Sequence, residues 1–260
     1  MKRFLSLSAV LLLSAILLTA CGGNPTGAGT NNGGAAPATG KSAYEYYKDV
    51  EAATKDIKSM QTTLDMKMNV AGMDMSAAGD IKFIKKSETD MEMATAMAIT
   101  GSPLGDIDMN VYYKDSFAYI NMAGMLKFKQ EMDIEEAMNM AYASSTSSIE
   151  FAESDIIDSS VTSAPGGILV SFTLNGETLG GELGKMAGGG LEGSNNSADT
   201  AFNNVSYTIL VGNGNMPKEI HISFEMGTDG SNYTVDMTDI SYNSLTKIDF
   251  PADLDEYNAF

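Results

Sequence analysis

Apolar residues follow a helical spacing early in this sequence and a spacing of two almost everywhere after it. Ala43, Tyr46, Tyr47, Val50, Ala53, Ile57 and Met60 fall on one stripe, with Lys48, Asp49, Lys55, Asp56 and Lys58 opposite. That pattern predicts an amphipathic helix over 42–60. Ser42 followed by Glu45 reads as a capping box that starts it, and Glu51 with Lys55 adds an i,i+4 pair. From Leu64 the period becomes two: Leu64, Met66, Met68 and Val70 share one face and charged residues the other. The same alternation returns in 81–84, 91–99, 107–113 and 117–120. Turn signals lie between: Gly72, Gly79, the 86–88 segment, Gly101-Ser102-Pro103, Lys114-Asp115-Ser116 and Gly124. A serial antiparallel meander is the natural product.

Beyond it, Asp133 with Glu136 repeats the capping pattern, and Ile134, Ala137, Met138 and Ala141 predict a shorter helix over 134–142. A Ser/Thr run over 144–148 follows, and 149–157 fits helix and strand equally. Residues 167–174 read as a strand before the Asn175-Gly176 turn. Leu179, Leu183 and Met186 suggest a third helix that Gly180, Gly181 and Gly184 weaken, and 188–204 reads as an excursion. Strands resume at 205–211, 220–226, 233–240 and 245–248, with hairpin turns at Asn213-Gly214 and Asp229-Gly230.

The first forty residues behave differently. Met1-Lys2-Arg3 is basic, Phe4 to Leu18 is apolar, and small residues precede Cys21, the pattern of a secretory leader over 1–20. Leu18-Thr19-Ala20-Cys21 resembles the bacterial lipobox, which implies cleavage before Cys21 and attachment of diacylglycerol to its thiol. Residues 21–41 form a tether rich in Gly, Pro, Asn and Thr that can bury nothing and spans roughly 25 Å as a coil. Residues 42–260 then form one domain. The expected place is the extracytoplasmic face of a cell membrane, held there by the acyl anchor.

Charge narrows the partners. Without Lys2 and Arg3 the chain has 14 basic against 34 acidic side chains, a formal charge of −20. Such a surface repels nucleic acid and anionic head groups, so the anchor alone holds the protein to lipid. Cys21 is the only cysteine, leaving no thiol for a disulfide or a nucleophile. His221, the only histidine, lies opposite the Ile220, Ile222, Phe224, Met226 face, where a solvent-exposed structural role is expected. With no nucleophile elbow and no phosphate loop, an enzyme is not expected, and no cofactor is called for. Tyr44, Tyr46 and Tyr47 suit either a cavity rim or an anchor for the first helix.

Methionine is the compositional outlier, with 19 in all. Met66/Met68, Met73/Met75, Met91/Met93 and Met138/Met140 are Met-x-Met pairs, and Met122/Met125 is Met-x-x-Met. Three readings stand: methionine replacing Leu and Val on buried strand faces, an adaptable apolar cavity, or copper(I) held by soft thioethers. The copper reading takes Met73, Met75, Met91 and Met93; Met73 and Met75, beside Gly72, read as turn residues.

Leader and lipobox, tether, amphipathic helix feeding a meander, mid-chain helix, the Pro-Lys-Glu-Ile strand at 217–220 and a last strand pair ending near Pro251 resemble the LolA/LolB/LppX group. More narrowly, the chain is similar to the uncharacterised LolA-like lipoproteins of Gram-positive bacteria. The resemblance implies an α+β fold: a curved antiparallel half-barrel around helices 42–60 and 134–142. An apolar cavity between sheet and helices is then expected to hold a lipid or other hydrophobic molecule. Combined with the alternation, this nominates Val50, Ile57, Leu64, Met66, Met68, Met91, Met93, Met97, Met109 and Val111 as its lining. The copper-binding lipoprotein and an envelope interaction module remain as alternatives.

Overall fold

A computed structural model describes residues 40–70, 72–102, 105–124, 126–138, 149–179, 202–227 and 231–259. The leader, Cys21, nearly all of the tether, residues 139–148, 180–201 and the Asp229-Gly230 turn lie outside the described residues.

Helix α1, Ala43–Thr54, starts as the capping box predicts. The Glu45 amide donates to Ser42 Oγ at 3.2 Å, and the Ser42 amide donates to Glu45 Oε2 at 2.7 Å. It stops six residues short of the expected end. Thr54 Oγ1 turns back to the Val50 carbonyl at 2.9 Å, and the Ile57 amide closes on the Thr54 carbonyl. Ile57 and Met60 are buried, but beyond the helix. Met60, Thr62 and Leu64 already alternate inward, and the β-branched Thr62-Thr63 pair favours strand, so the period of two begins earlier than it reads.

The described strands form one sheet in the order β12-β6-β5-β4-β3-β2-β1-β11-β10-β9-β8-β7. Strands β1 (Ser59–Val70), β2 (Met73–Lys85), β3 (Met91–Thr100), β4 (Ile107–Lys114), β5 (Phe117–Met122) and β6 (Leu126–Glu131) make the predicted meander. A second meander runs through β7 (Ile156–Ala164), β8 (Gly167–Leu174), β9 (Phe202–Val211), β10 (Pro217–Met226) and β11 (Ser231–Tyr242). It returns to pair β11 antiparallel with β1. Strand β12 (Asn258–Ala259) adds a short parallel rung on β6. The sheet is large, curved and unclosed, with few helices. Register breaks at Gln61/Thr63, Pro217/Glu219, Ser223/Glu225 and Ile156/Asp158 bend its strands.

Five readings change. Met73 and Met75 belong to β2 rather than a turn, and Met75 is buried opposite Met68. Gly79 also sits inside β2, where an added Cβ would stand 1.8 Å from the Ala96 carbonyl oxygen. Only a residue without a side chain lets β2 and β3 approach there. Residues 245–248 are not a strand, although Ile248 is buried and the Leu245 amide meets Ser59 Oγ. The 149–157 segment resolves into the 3₁₀ turn Glu153–Asp155 running into β7. Strand β7 escapes the hydrophobic pattern because it is an edge, exposed over 157–160 and pairing only with β8. Of the predicted second helix, 134–138 is helical, with the Glu136 amide on Asp133 Oδ1 at 2.7 Å.

Both core clusters lie on the same face of the sheet. One joins α1 to β8–β11 through Tyr47, Phe151, Phe172 and Tyr207. Tyr47 and Phe151 stack at 4.2 Å and Phe172 meets Phe151 edge-on at 5.1 Å. Tyr46 and Tyr47 therefore anchor the helix rather than rim an opening. The other cluster gathers Ile57, Phe83, Met93, Tyr113, Ile120 and Ala137. The C-terminal segment crosses the opposite face: Tyr112 meets Phe250 edge-on, and Lys127 pairs with Asp253.

Candidate functional site

The registers align the side chains of the core-bearing face in rows. One row runs Tyr207, Ile222, Val235, Met66, Ala77, Ile99, Ile107 from β9 to β4. The next runs Ile209, Ile220, Met237, Leu64, Gly79, Met97, Met109, Met122, Leu126. Neither row carries a charge. Toward β9 both rows are sealed in the first core, with Ile209, Ile220 and Met237 nearly inaccessible. Across β1 to β5 they open: Met66, Met68, Met97, Ile99, Ile107 and Met122 are half-buried around the small residues Ala77 and Gly79. Met97 and Ile240 touch both clusters, so this strip is the seam between two closed cores.

The expected lining divides across that seam. Val50 and Leu64 belong to the first core, and Ile57, Met91, Met93, Met109 and Val111 to the second. Only Met66, Met68 and Met97 keep accessible surface along the open strip. Ile99, Ile107 and Met122 join them there; their alternation is visible in the sequence, but nothing in it separates half-covered positions from sealed ones. The copper quartet is not brought together. Met75 lies opposite Met68, whereas Met93 lies opposite Phe83, at the other end of β2. The eight intervening steps amount to about 26 Å at the rise of a strand.

One phenol is packed into the first core and another against the second. Tyr242, opposite Met60, and Tyr47 are both held protonated well above the usual phenol range, mainly because burial penalises the phenolate. The Glu51 carboxylate raises Tyr47 further, and the Tyr207 phenol adds to Tyr242. They are neutral donors over the whole physiological range. On the face away from the cores His221 Nδ1 lies 2.5 Å from Asp236 Oδ1 across β10 and β11, a half-exposed pair. Among the described residues no group of three or more His, Cys, Asp or Glu side chains is placed to hold a metal ion.

No curated protein matches the sequence. In fold, the chain is similar to LprF from Mycobacterium bovis, with a TM-score of 0.51 at 11% identity, over 81% of this chain and 97% of LprF. Weaker likenesses are a DUF1329 family protein from Desulfovibrio piger (TM-score 0.33, 9% identity, 79% and 93% covered) and a putative outer membrane lipoprotein-sorting protein domain from Vibrio parahaemolyticus (0.28, 8%, 83% and 98%). The expected relation to LolA-like and LppX-like domains holds at the level of fold. In sequence, residues 42–256 match a family of unknown function, DUF6612, and the chain belongs to that family.

Proposed function

We propose that this protein is a non-enzymatic carrier or receptor for an apolar or amphiphilic molecule, lipid-like in character, held against the concave face of its sheet. One observation carries the reading: an uncharged strip of half-buried Met and Ile side chains runs between two closed cores. Apolar surface left open in a concavity is the usual mark of a ligand site, and unbranched thioethers repack around irregular shapes. The fold shared with LprF is compatible with this use. Cys21, lipidated after loss of residues 1–20, anchors the protein at the extracytoplasmic face of the membrane, and the tether sets the reach of the site.

Solvent extraction of the purified full chain, followed by mass spectrometry, tests the binding reading, because it separates molecules held without a bond from the covalent anchor. Extraction should release about one equivalent of an apolar compound. A Met66→Asp/Met97→Asp variant, whose changes fall on half-exposed positions, should release none. A wild-type chain that comes out empty and takes up no fluorescent acyl probe would sink the proposal. For the anchor, Cys21→Ala should move the protein from the membrane to the soluble fraction.

A further inference from the structure

We infer that Met97, Met109 and Met122 form a binding site for a soft monovalent cation, copper(I) or silver(I). Met97 lies directly opposite Met109, and Met109 directly opposite Met122, on the neighbouring strands β3, β4 and β5. Opposed residues in an antiparallel pair have Cα atoms about 4.5–5.5 Å apart and send their side chains to the same face. Three flexible thioethers therefore stand side by side, and the outer two can lean over the central one.

The surroundings select the ion. The adjoining rows are Ile99 and Ile107 on one side and Thr95, Val111 and Ile120 on the other, so among the described residues of these rows the Thr95 hydroxyl is the one polar group and no carboxylate or imidazole is offered. Thioethers without carboxylate or imidazole partners favour Cu(I) over zinc, calcium or magnesium, and a neutral hydroxyl does not reverse that preference. The row is also reachable. Met109 is only 9% exposed, but Met97 and Met122 are half-buried, and Leu126, the next residue across from Met122, is 52% exposed. At the other end Met97 faces Gly79, which supplies no side chain to crowd it. A strongly acidic protein concentrates cations around itself, which assists capture by neutral ligands. The site is distinct from the quartet that the Met-x-Met spacing suggests, because strand register rather than sequence proximity assembles it.

The test is an anaerobic titration of the delipidated full chain against Cu(I) buffered by a chromophoric chelator. The wild type should withdraw one equivalent. Met97→Leu, Met109→Leu and Met122→Leu should each weaken binding by at least the ~10-fold seen when a metal site loses a supporting contact. The volume-matched Met73→Leu/Met75→Leu control should not. In parallel, a chain labelled in its methionine methyl groups should show the resonances of Met97, Met109 and Met122 shifting on addition of silver(I), a reading that needs no variant to fold. Failure to withdraw Cu(I), an undiminished triple-leucine variant, or shifts confined to other methionines would overturn the assignment.

Discussion

Replacing Tyr47 with phenylalanine isolates one bond that fixes α1 to the rest of the protein. Tyr47 is 3% exposed, and its hydroxyl lies 3.2 Å from the Ile149 carbonyl and 3.1 Å from Glu51 Oε1. Phenylalanine keeps the ring stacked on Phe151, so the apolar contribution is unchanged and only the hydroxyl is lost. Ile149 is fully buried, and its carbonyl would be left without that donor. The expected cost is about 1–3 kcal/mol, the range for a buried hydrogen bond whose partner stays unsatisfied. Urea denaturation should show a lower midpoint at constant slope, and melting should fall by roughly 2–4 °C per kcal/mol. The pH dependence has a definite sign. The phenol ionises from 10.0 in the unfolded chain and higher in the fold, so its contribution is complete below that pH and lost above it. Wild-type stability should fall by about 1.4 kcal/mol per pH unit from this group, and the gap to the variant should narrow there. Equal stability at neutral pH together with parallel alkaline curves would refute the placement of this hydroxyl.

Three further substitutions probe the sheet. Gly79→Ala places a Cβ 1.8 Å from the Ala96 carbonyl and 2.8 Å from Met97 Cα, so circular dichroism should show loss of the fold. Gly72→Ala meets no atom within 4 Å and should cost only about 1 kcal/mol for its positive φ. Tyr257→Ala removes a 3% exposed ring that stands edge-on to Tyr119, and should speed amide exchange in β5 and β6 while leaving β8–β10 protected. A uniform rise across the sheet would argue against a local latch.

The parts legible in the sequence are those where one physical signal acts alone. Ser42 and Glu45 announce a helix start, and the 64–70 and 220–226 alternations announce one-sided strands, because capping and burial need no knowledge of the partner. The helix end was hidden, since Met60 satisfies a helical stripe and a strand face equally, and Ile57, in the link between the two elements, still falls on the helical stripe. Strand β7 was hidden because an edge lined with Ser and Thr needs no apolar face. Gly79 reads as a turn until the backbone beside it is known. The candidate site was half legible: alternation finds inward residues such as Met66 and Met93 alike, but which are sealed depends on where α1 and the 134–138 segment lie.

The pairing of β1 with β11 has a consequence for how the protein comes into being. Thr62 bonds to the Thr238 carbonyl, 176 residues further along the chain. Each meander can zip up from local hairpins, but joining them requires closure of a loop spanning most of the molecule, an entropic barrier that local contacts do not lower. As the chain emerges from its amino terminus, β1 waits with an open edge until the last long strand appears. Assembly is therefore slowest at the middle of the sheet, and the nascent protein is most exposed to mispairing at the strand that ends up most central.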